Sequence, residues 1–201
     1  IARDTNIKAA LKEQGLEENT LVIFAGDNGL AVGQHGLLGK QNLYEHSIRV
    51  PMIMRGPGVP PNSSNQSFVY LSDIAPTLYA YLDIPPPPSV EAKSLLPLIE
   101  QKQQAVRQST YNVYGHWSRS LKTADGYKLL LYNVRGVLTT QLFYLKNDPW
   151  ETKNLANDKK YNNRIRKMRI QLKAEMQAAF DNLDIDKPDW GRQPGQRAYG
   201  S

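Results

Sequence analysis

Residues 20–58, TLVIFAGDNGLAVGQHGLLGKQNLYEHSIRVPMIMRGPG, constrain this chain more than any other stretch, because two short apolar runs bracket a loop filled with carboxylate, amide, imidazole and ammonium groups. Leu21–Ala25 is apolar, contains β-branched residues and stops at Gly26-Asp27-Asn28-Gly29. That pattern predicts a buried strand ending in a tight turn. The ends of strands in an open α/β sheet are where ligands gather. Asp27 and Asn28 offer hard oxygen donors, which suit Ca²⁺ or Mg²⁺ better than zinc or copper. Two side chains do not fill a shell of about six to eight oxygens. No convincing second carboxylate pair lies nearby in the sequence, so the remaining ligands come from elsewhere or there is no metal site. Asn and Asp are equally favoured in an ordinary turn, where they tolerate left-handed backbone and bond their own main chain. Both readings stand on these residues alone.

Further along the loop, Gly33-Gln34-His35-Gly36 and Gly39 precede Lys40. Glycines let backbone and cation approach a small tetrahedral anion together, and lysine serves there as a compact point charge. His35, flanked by residues with little side-chain cover, is placed to meet a substrate oxygen, to donate a proton near neutral pH, or to play a structural part. Glu45 and Arg49 stand at i, i+4 spacing, which predicts an ion pair bracing the loop.

The run Asp27-Asn28-Gly29, Gly33-Gln34-His35-Gly36, Gly39-Lys40, Leu43-Tyr44-Glu45, Arg49-Val50-Pro51 and Arg55-Gly56-Pro57-Gly58 resembles the formylglycine-dependent sulfatases of the alkaline-phosphatase-like superfamily. Leu71–Leu78 is similar to that family's helix after the second strand. Gly126–Leu129, Leu142–Leu145, Asn147–Glu151 and Asn154-Leu155 are similar to its small C-terminal subdomain. The resemblance implies a fold in which residues 1–100 form the closing part of a mixed α/β sheet with helices. Residues 101–183 would form a small antiparallel sheet with a C-terminal helix, and residues 184–201 an extended tail. It implies that Asp27 and Asn28 are Ca²⁺ ligands, with Mg²⁺ the lesser alternative, and that Lys40 holds the sulfate and assists the leaving oxygen. His35 would contact substrate. The family's nucleophile is a formylglycine made from a Cys or Ser in a Cys-x-Pro-Ser-Arg type motif beside an N-terminal aspartate pair. This chain has no cysteine, and no serine substitute for the motif appears. The expectation is therefore a C-terminal portion of a sulfatase, inactive alone, whose partners are a sulfated carbohydrate or other sulfate ester and the missing N-terminal half. By resemblance the location is periplasmic or secreted.

Outside the loop, residues 1–14 read as a helix with Ile7, Ala10 and Leu11 on one face and Gly15 as its stop. The two apolar runs and the helix after them read as the end of a mostly parallel sheet covered by helices. Pro85–Pro88 interrupts the chain. Residues 111–114, 119–123, 127–132 and 141–145 alternate as short antiparallel strands. A helix over residues 159–182 should bury Ile165, Met168, Leu172, Met176, Ala179 and Phe180. The net charge of +6 is concentrated on that helix's other face. Without interleaved aromatics or a recognised module it reads as a solvated face and not as a nucleic-acid surface. No run approaches the ~20 apolar residues of a membrane span. In the C-terminal part, His116, Trp117 and Arg119 combine a titratable ring, an aromatic and a cation suited to a sulfated sugar, although Trp117 serves equally as core. The same loop chemistry suits a phosphodiesterase or phosphonate hydrolase, and the charge alone would suit a non-catalytic module for acidic glycans. Apolar surface left open in such a chain should make it prone to association.

Overall fold

The computed structural model describes residues 2–191. In chain order the elements are α1 (Ala2–Glu13), β1 (Val22–Ala25), β2 (Ala31–Val32), β3 (Leu38–Gly39), α2 (Glu45–Ile48) and β4 (Met52–Arg55). They are followed by α3 (Ile74–Tyr81), α4 (Leu96–Ile99), β5 (Ser109–Tyr114), β6 (Ser118–Thr123), β7 (Tyr127–Val134), β8 (Val137–Tyr144) and α5 (Asn162–Ala178). The chain divides into two compact units, residues 1–27 with 50–107, and residues 28–49 with 108–201. One of these divisions falls between residues 107 and 108. The loop of residues 28–49, however, belongs with the C-terminal sheet, since Leu43 and Tyr44 pack there with Leu130 and Phe143.

In the first unit, α1 ends where Gly15 takes φ +65°. Leu16 N–H donates to Leu11 O and Gly15 N–H to Lys12 O, the paired bonds of a Schellman stop. Strands β1 and β4 pair antiparallel, with Phe24 opposite Ile53. The chain thus returns along itself after the loop, where neighbouring strands of a mostly parallel sheet were expected. Nor is β1 buried as its composition predicts. Alternate strand residues face opposite sides, and the side carrying Phe24 (54% exposed) and Ile53 (62%) is open. What organises the rest of this unit is Asp73, fully buried at the start of α3. It accepts from the backbone N–H of Tyr70 and Lys93 and takes a two-pronged pair from Arg107 at 2.5 and 2.8 Å.

The second unit is a four-stranded antiparallel meander, β5-β6-β7-β8, with α5 on one face. Leu121, Leu129, Leu131 and Leu142 point to that face and meet Met168, Leu172 and Met176 of α5. Leu130 and Phe143, on the opposite face by alternation, meet Leu43 and Tyr44. Helix α5 is shorter than its apolar pattern suggests. It stops at Ala178, and Phe180 turns out to solvent with φ +55°, so neither Ala179 nor Phe180 joins the core. Part of the expected tail is packed, for Ile185 and Trp190 are buried in the α5 cluster; residues 192–201 lie outside the described residues. Among the described residues no helix is long and apolar enough to cross a membrane.

Candidate functional site

The loop of residues 28–49 builds its first contact from the turn itself. Asn28 donates from Nδ2 to Gly29 O at 2.9 Å, and its Oδ1 accepts from Lys40 Nζ at 3.1 Å. Lys40 is brought back to this point by the β2–β3 ribbon, in which Ala31 pairs with Gly39. Gly29 N–H donates to Ser47 O at 2.9 Å. A Cβ at Gly29 would stand 1.9 Å from the His46 carbonyl oxygen, so the turn closes on α2 only because this residue is glycine. Sequence-predicted Asn28 and Lys40 are therefore in contact, and Asp27 precedes them as an exposed residue at the end of β1.

His35 engages different partners. It has φ +55° and lies flat on Tyr44, ring centroids 3.9 Å apart and planes within 3°. The ring of His46 is 5.7 Å from each of them. His35 Nε2 donates to the Trp150 carbonyl oxygen at 3.1 Å, which leaves the lone pair of the neutral ring on Nδ1. Burial, reinforced by the neighbouring His35 ring and the Lys128 ammonium, holds the pKa of His46 below its ordinary value of 6.5.

His116 and Arg119, named with Trp117 as a ring and a cation suited to a sulfated sugar, have separate surroundings. His116 is half-buried with its edge on Trp117, centroids 4.7 Å apart. Arg119 is 5% exposed, with Nε donating to Asp181 at 2.6 Å and Nη1 to the carbonyls of Gly115 and Ser118. A guanidinium so engaged braces the β5–β6 turn. The expected Glu45–Arg49 pair is also replaced. Glu45 turns inward to Lys122 (2.7 Å) and to Lys128 (3.0 Å), while Arg49 is exposed.

That inward turn belongs to a charge network the sequence reading missed. Lys128, whose side chain is wholly buried, bridges Glu45 and Glu151, the latter at 2.7 Å. Glu151 also accepts from the Glu45 backbone N–H at 2.6 Å. Burial tends to raise the Glu45 pKa, but the two lysines outweigh it and the group is held below its ordinary value. For Glu151 burial prevails over Lys128 and the Glu45 N–H, and its pKa is raised. The signal was present in principle. Lys128 interrupts the apolar run Tyr127–Leu131, and lysine is almost never fully buried unless paired.

As for a divalent ion, the donor chemistry fits in part. Asn28 Oδ1 already faces a cationic partner, and the Asp27 carboxylate is a hard donor of the right kind. Among the described residues no group of three or more His, Asp or Glu stands together to complete a metal shell.

The family described as N-sulphoglucosamine sulphohydrolase, C-terminal, matches residues 33–178, a span that contains His35, Lys40, Glu45, Lys128 and Glu151. An arylsulfatase of Clostridium perfringens is 35% identical over 179 residues, covering 84% of this chain and 36% of its own length. The chain spans about a third of the length of the curated relatives it matches, 29% and 36% for the first two. A protein solved in complex with its substrate D-glucosamine-2-N,6-O-disulfate shares the fold at a TM-score of 0.82 and 22% identity, over 94% of this chain and 39% of that one. A phosphonate monoester hydrolase from Silicibacter pomeroyi shares it at 0.76 and 20%, over 88% and 38%.

Proposed function

The chain belongs to the N-sulphoglucosamine sulphohydrolase C-terminal family, and on that premise we propose that it forms part of an enzyme hydrolysing sulfate esters, those of sulfated carbohydrates in particular. The observation that carries this reading is Lys40 Nζ set 3.1 Å from Asn28 Oδ1, an ammonium and a hard oxygen donor sharing one corner of the loop. Lys40 holds a sulfate oxygen as a point charge and stabilises the negative charge that grows on the leaving oxygen. Asp27 and Asn28 would be two of the ligands of a Ca²⁺ ion, which when bound polarises the sulfate. Gly29 fixes their turn against α2, and His35, anchored through Nε2 to Trp150, offers Nδ1 to a substrate hydroxyl. With no cysteine among these 201 residues, a formylglycine nucleophile lies in sequence outside them, and the isolated chain is inactive. Action in the periplasm or outside the cell is part of the same reading.

The test takes the protein that carries this chain and measures sulfate release from glucosamine disulfate and from an aryl sulfate, with a phosphonate monoester as competitor chemistry. Sulfate turnover should exceed phosphonate turnover, and Lys40→Ala should lower kcat/KM by about 10²–10³-fold, the range seen when one charge-stabilising donor is removed. Chelation should abolish turnover and Ca²⁺ restore it. Preference for the phosphonate would move the assignment to the phosphoryl-transfer branch represented by the fold neighbour.

A further inference from the structure

A cleft of about 640 Å³ opens in the second unit, lined by His35, His46 and Arg49 from the loop and by Pro149, Trp150 and Thr152 from the turn after β8. That volume lies within the range of small-molecule sites, about 300–1,000 Å³. Its two walls are bolted together. Glu151 carries the turn's carboxylate to the Glu45 backbone N–H, and Lys128 bridges both glutamates. Asp148 stiffens the same turn by accepting from Thr152 N–H, Thr152 Oγ1 and Lys153 N–H at 2.8–3.0 Å. Yet between the braced Asp148 and the buried Glu151, Trp150 leaves 71% of its surface in solvent. An indole placed this way presents a large apolar face with a polar N–H at its edge. On the opposite wall His46 Nε2 is buried and has no hydrogen-bond partner among the described residues, a cost that a ligand hydroxyl or a water would remove. Arg49, freed by the inward turn of Glu45, adds an exposed guanidinium.

We propose that this cleft is a sugar-binding subsite in which Trp150 stacks on the apolar face of a pyranose ring, His46 Nε2 meets a ring hydroxyl, and Arg49 pairs with a sulfate or carboxylate on that sugar. The proposal deepens the sulfatase reading and rests on it for the substrate class. An amphipathic aromatic beside imidazoles and a planar cation suits an acidic sugar, because stacking needs only the ring's C–H face while the polar groups reach its rim. Neither Asn28 nor Lys40 lines this cleft, so the subsite serves a further residue of an oligosaccharide and is not needed by a small ester.

The experiment uses the protein that carries this chain and separates the two readings by substrate. Trp150→Ala should raise KM for a sulfated oligosaccharide about tenfold, the upper end of what one aromatic contact contributes, with kcat and the kinetics on an aryl sulfate unchanged. Trp150→Phe should recover most of the loss, and Arg49→Gln should raise KM only for the charged oligosaccharide. Equal losses on both substrates, or none on either, overturn the subsite. If the unaltered protein turns over neither substrate, the sulfatase reading has failed, and the cleft is judged on binding alone. Titration with glucosamine-2-N,6-O-disulfate should then quench a fluorescence component that Trp150→Phe lacks, and absence of that quenching overturns it.

Discussion

The two units of this chain reach a folded state by different means. The second encloses two apolar clusters, one on each face of its meander, and sets a fully buried Lys128 among two glutamates at the edge of one of them. The first buries few large apolar side chains, among them Leu95 and Leu98, and leaves Ile7, Leu16, Phe24, Ile53 and Leu82 each more than half exposed. Its order comes from Asp73, which gathers two backbone N–H groups and Arg107, and from Thr77, whose hydroxyl accepts from Leu95 N–H. Apolar burial is distributed and survives the loss of one contact, whereas a single polar node fails as a whole. The difference teaches that the loop bearing Asn28, His35 and Lys40 draws its rigidity from the well-packed unit.

The sharpest way to break that contrast is to remove each buried charge. Asp73→Ala strands Arg107 and should cost about 3–5 kcal/mol, as breaking a buried pair does. Hydrogen exchange should then show residues 70–107 losing protection while β5–β8 keep theirs. Lys128→Ala should cost a similar amount by leaving Glu45 and Glu151 buried together, but here the loss should appear in the loop around α2. If Asp73→Ala instead unprotects the meander, the two units are not separately stabilised.

Apolar truncation tests the other half. Leu142→Ala, at a wholly buried position, should cost about 2–5 kcal/mol in denaturant unfolding.

How much of this was legible in the sequence follows from which physical signals are local. Strands β5–β8 showed because alternation is a period of two written into each segment, and α1 because Gly15 marks its stop. The contact between Asn28 and Lys40 was foreshadowed by the glycines that bring the chain back. What escaped were pairings between distant positions. Glu45 lies one helical turn from Arg49, and the local rule predicts that pair, yet two lysines from β6 and β7 win because burial strengthens their attraction. The ion pair of Arg119 escaped for the same reason: nothing nearby in sequence announces Asp181. Phe180 fitted the stripe of α5 by periodicity, but the helix ends before it and the backbone turns it outward.

Acid should tell the units apart more gently. Glu45, Asp148 and Asp181 all lie in the second unit with pKa values below their ordinary 4.5, 3.8 and 3.8, burial being outweighed by lysines, by turn N–H donors, and by Arg119 with Tyr111, respectively. A carboxyl whose folded pKa is depressed contributes stability that is fully present above its unfolded pKa and is lost as pH falls through the folded one. Glu151, with its pKa raised, works in the opposite sense and offsets part of the loss on acidification. Thermal unfolding of the meander should therefore be flat from pH 7 to about 5 and fall below about 4, within the ordinary carboxylate range. A midpoint that rises on going from pH 5 to pH 3.5 would show that Glu151 governs the network.

The smallest expected change in stability sits on the open face of the first unit. Phe24 and Ile53 are cross-strand neighbours, both more than half exposed, so replacing them with serine removes little burial and should shift stability by no more than about 0.5 kcal/mol. The effect on association should be much larger, because a paired aromatic and β-branched residue on a two-stranded edge is a ready surface for another apolar face. Light scattering of the 201-residue chain should show concentration-dependent association that F24S/I53S reduces. The equivalent exposed pair on the second unit, Val32 opposite Leu38, provides the control. If V32S/L38S reduces association more, the sticky surface is the ribbon that carries Lys40 back to Asn28, and the contrast between the units would have to be redrawn around the loop.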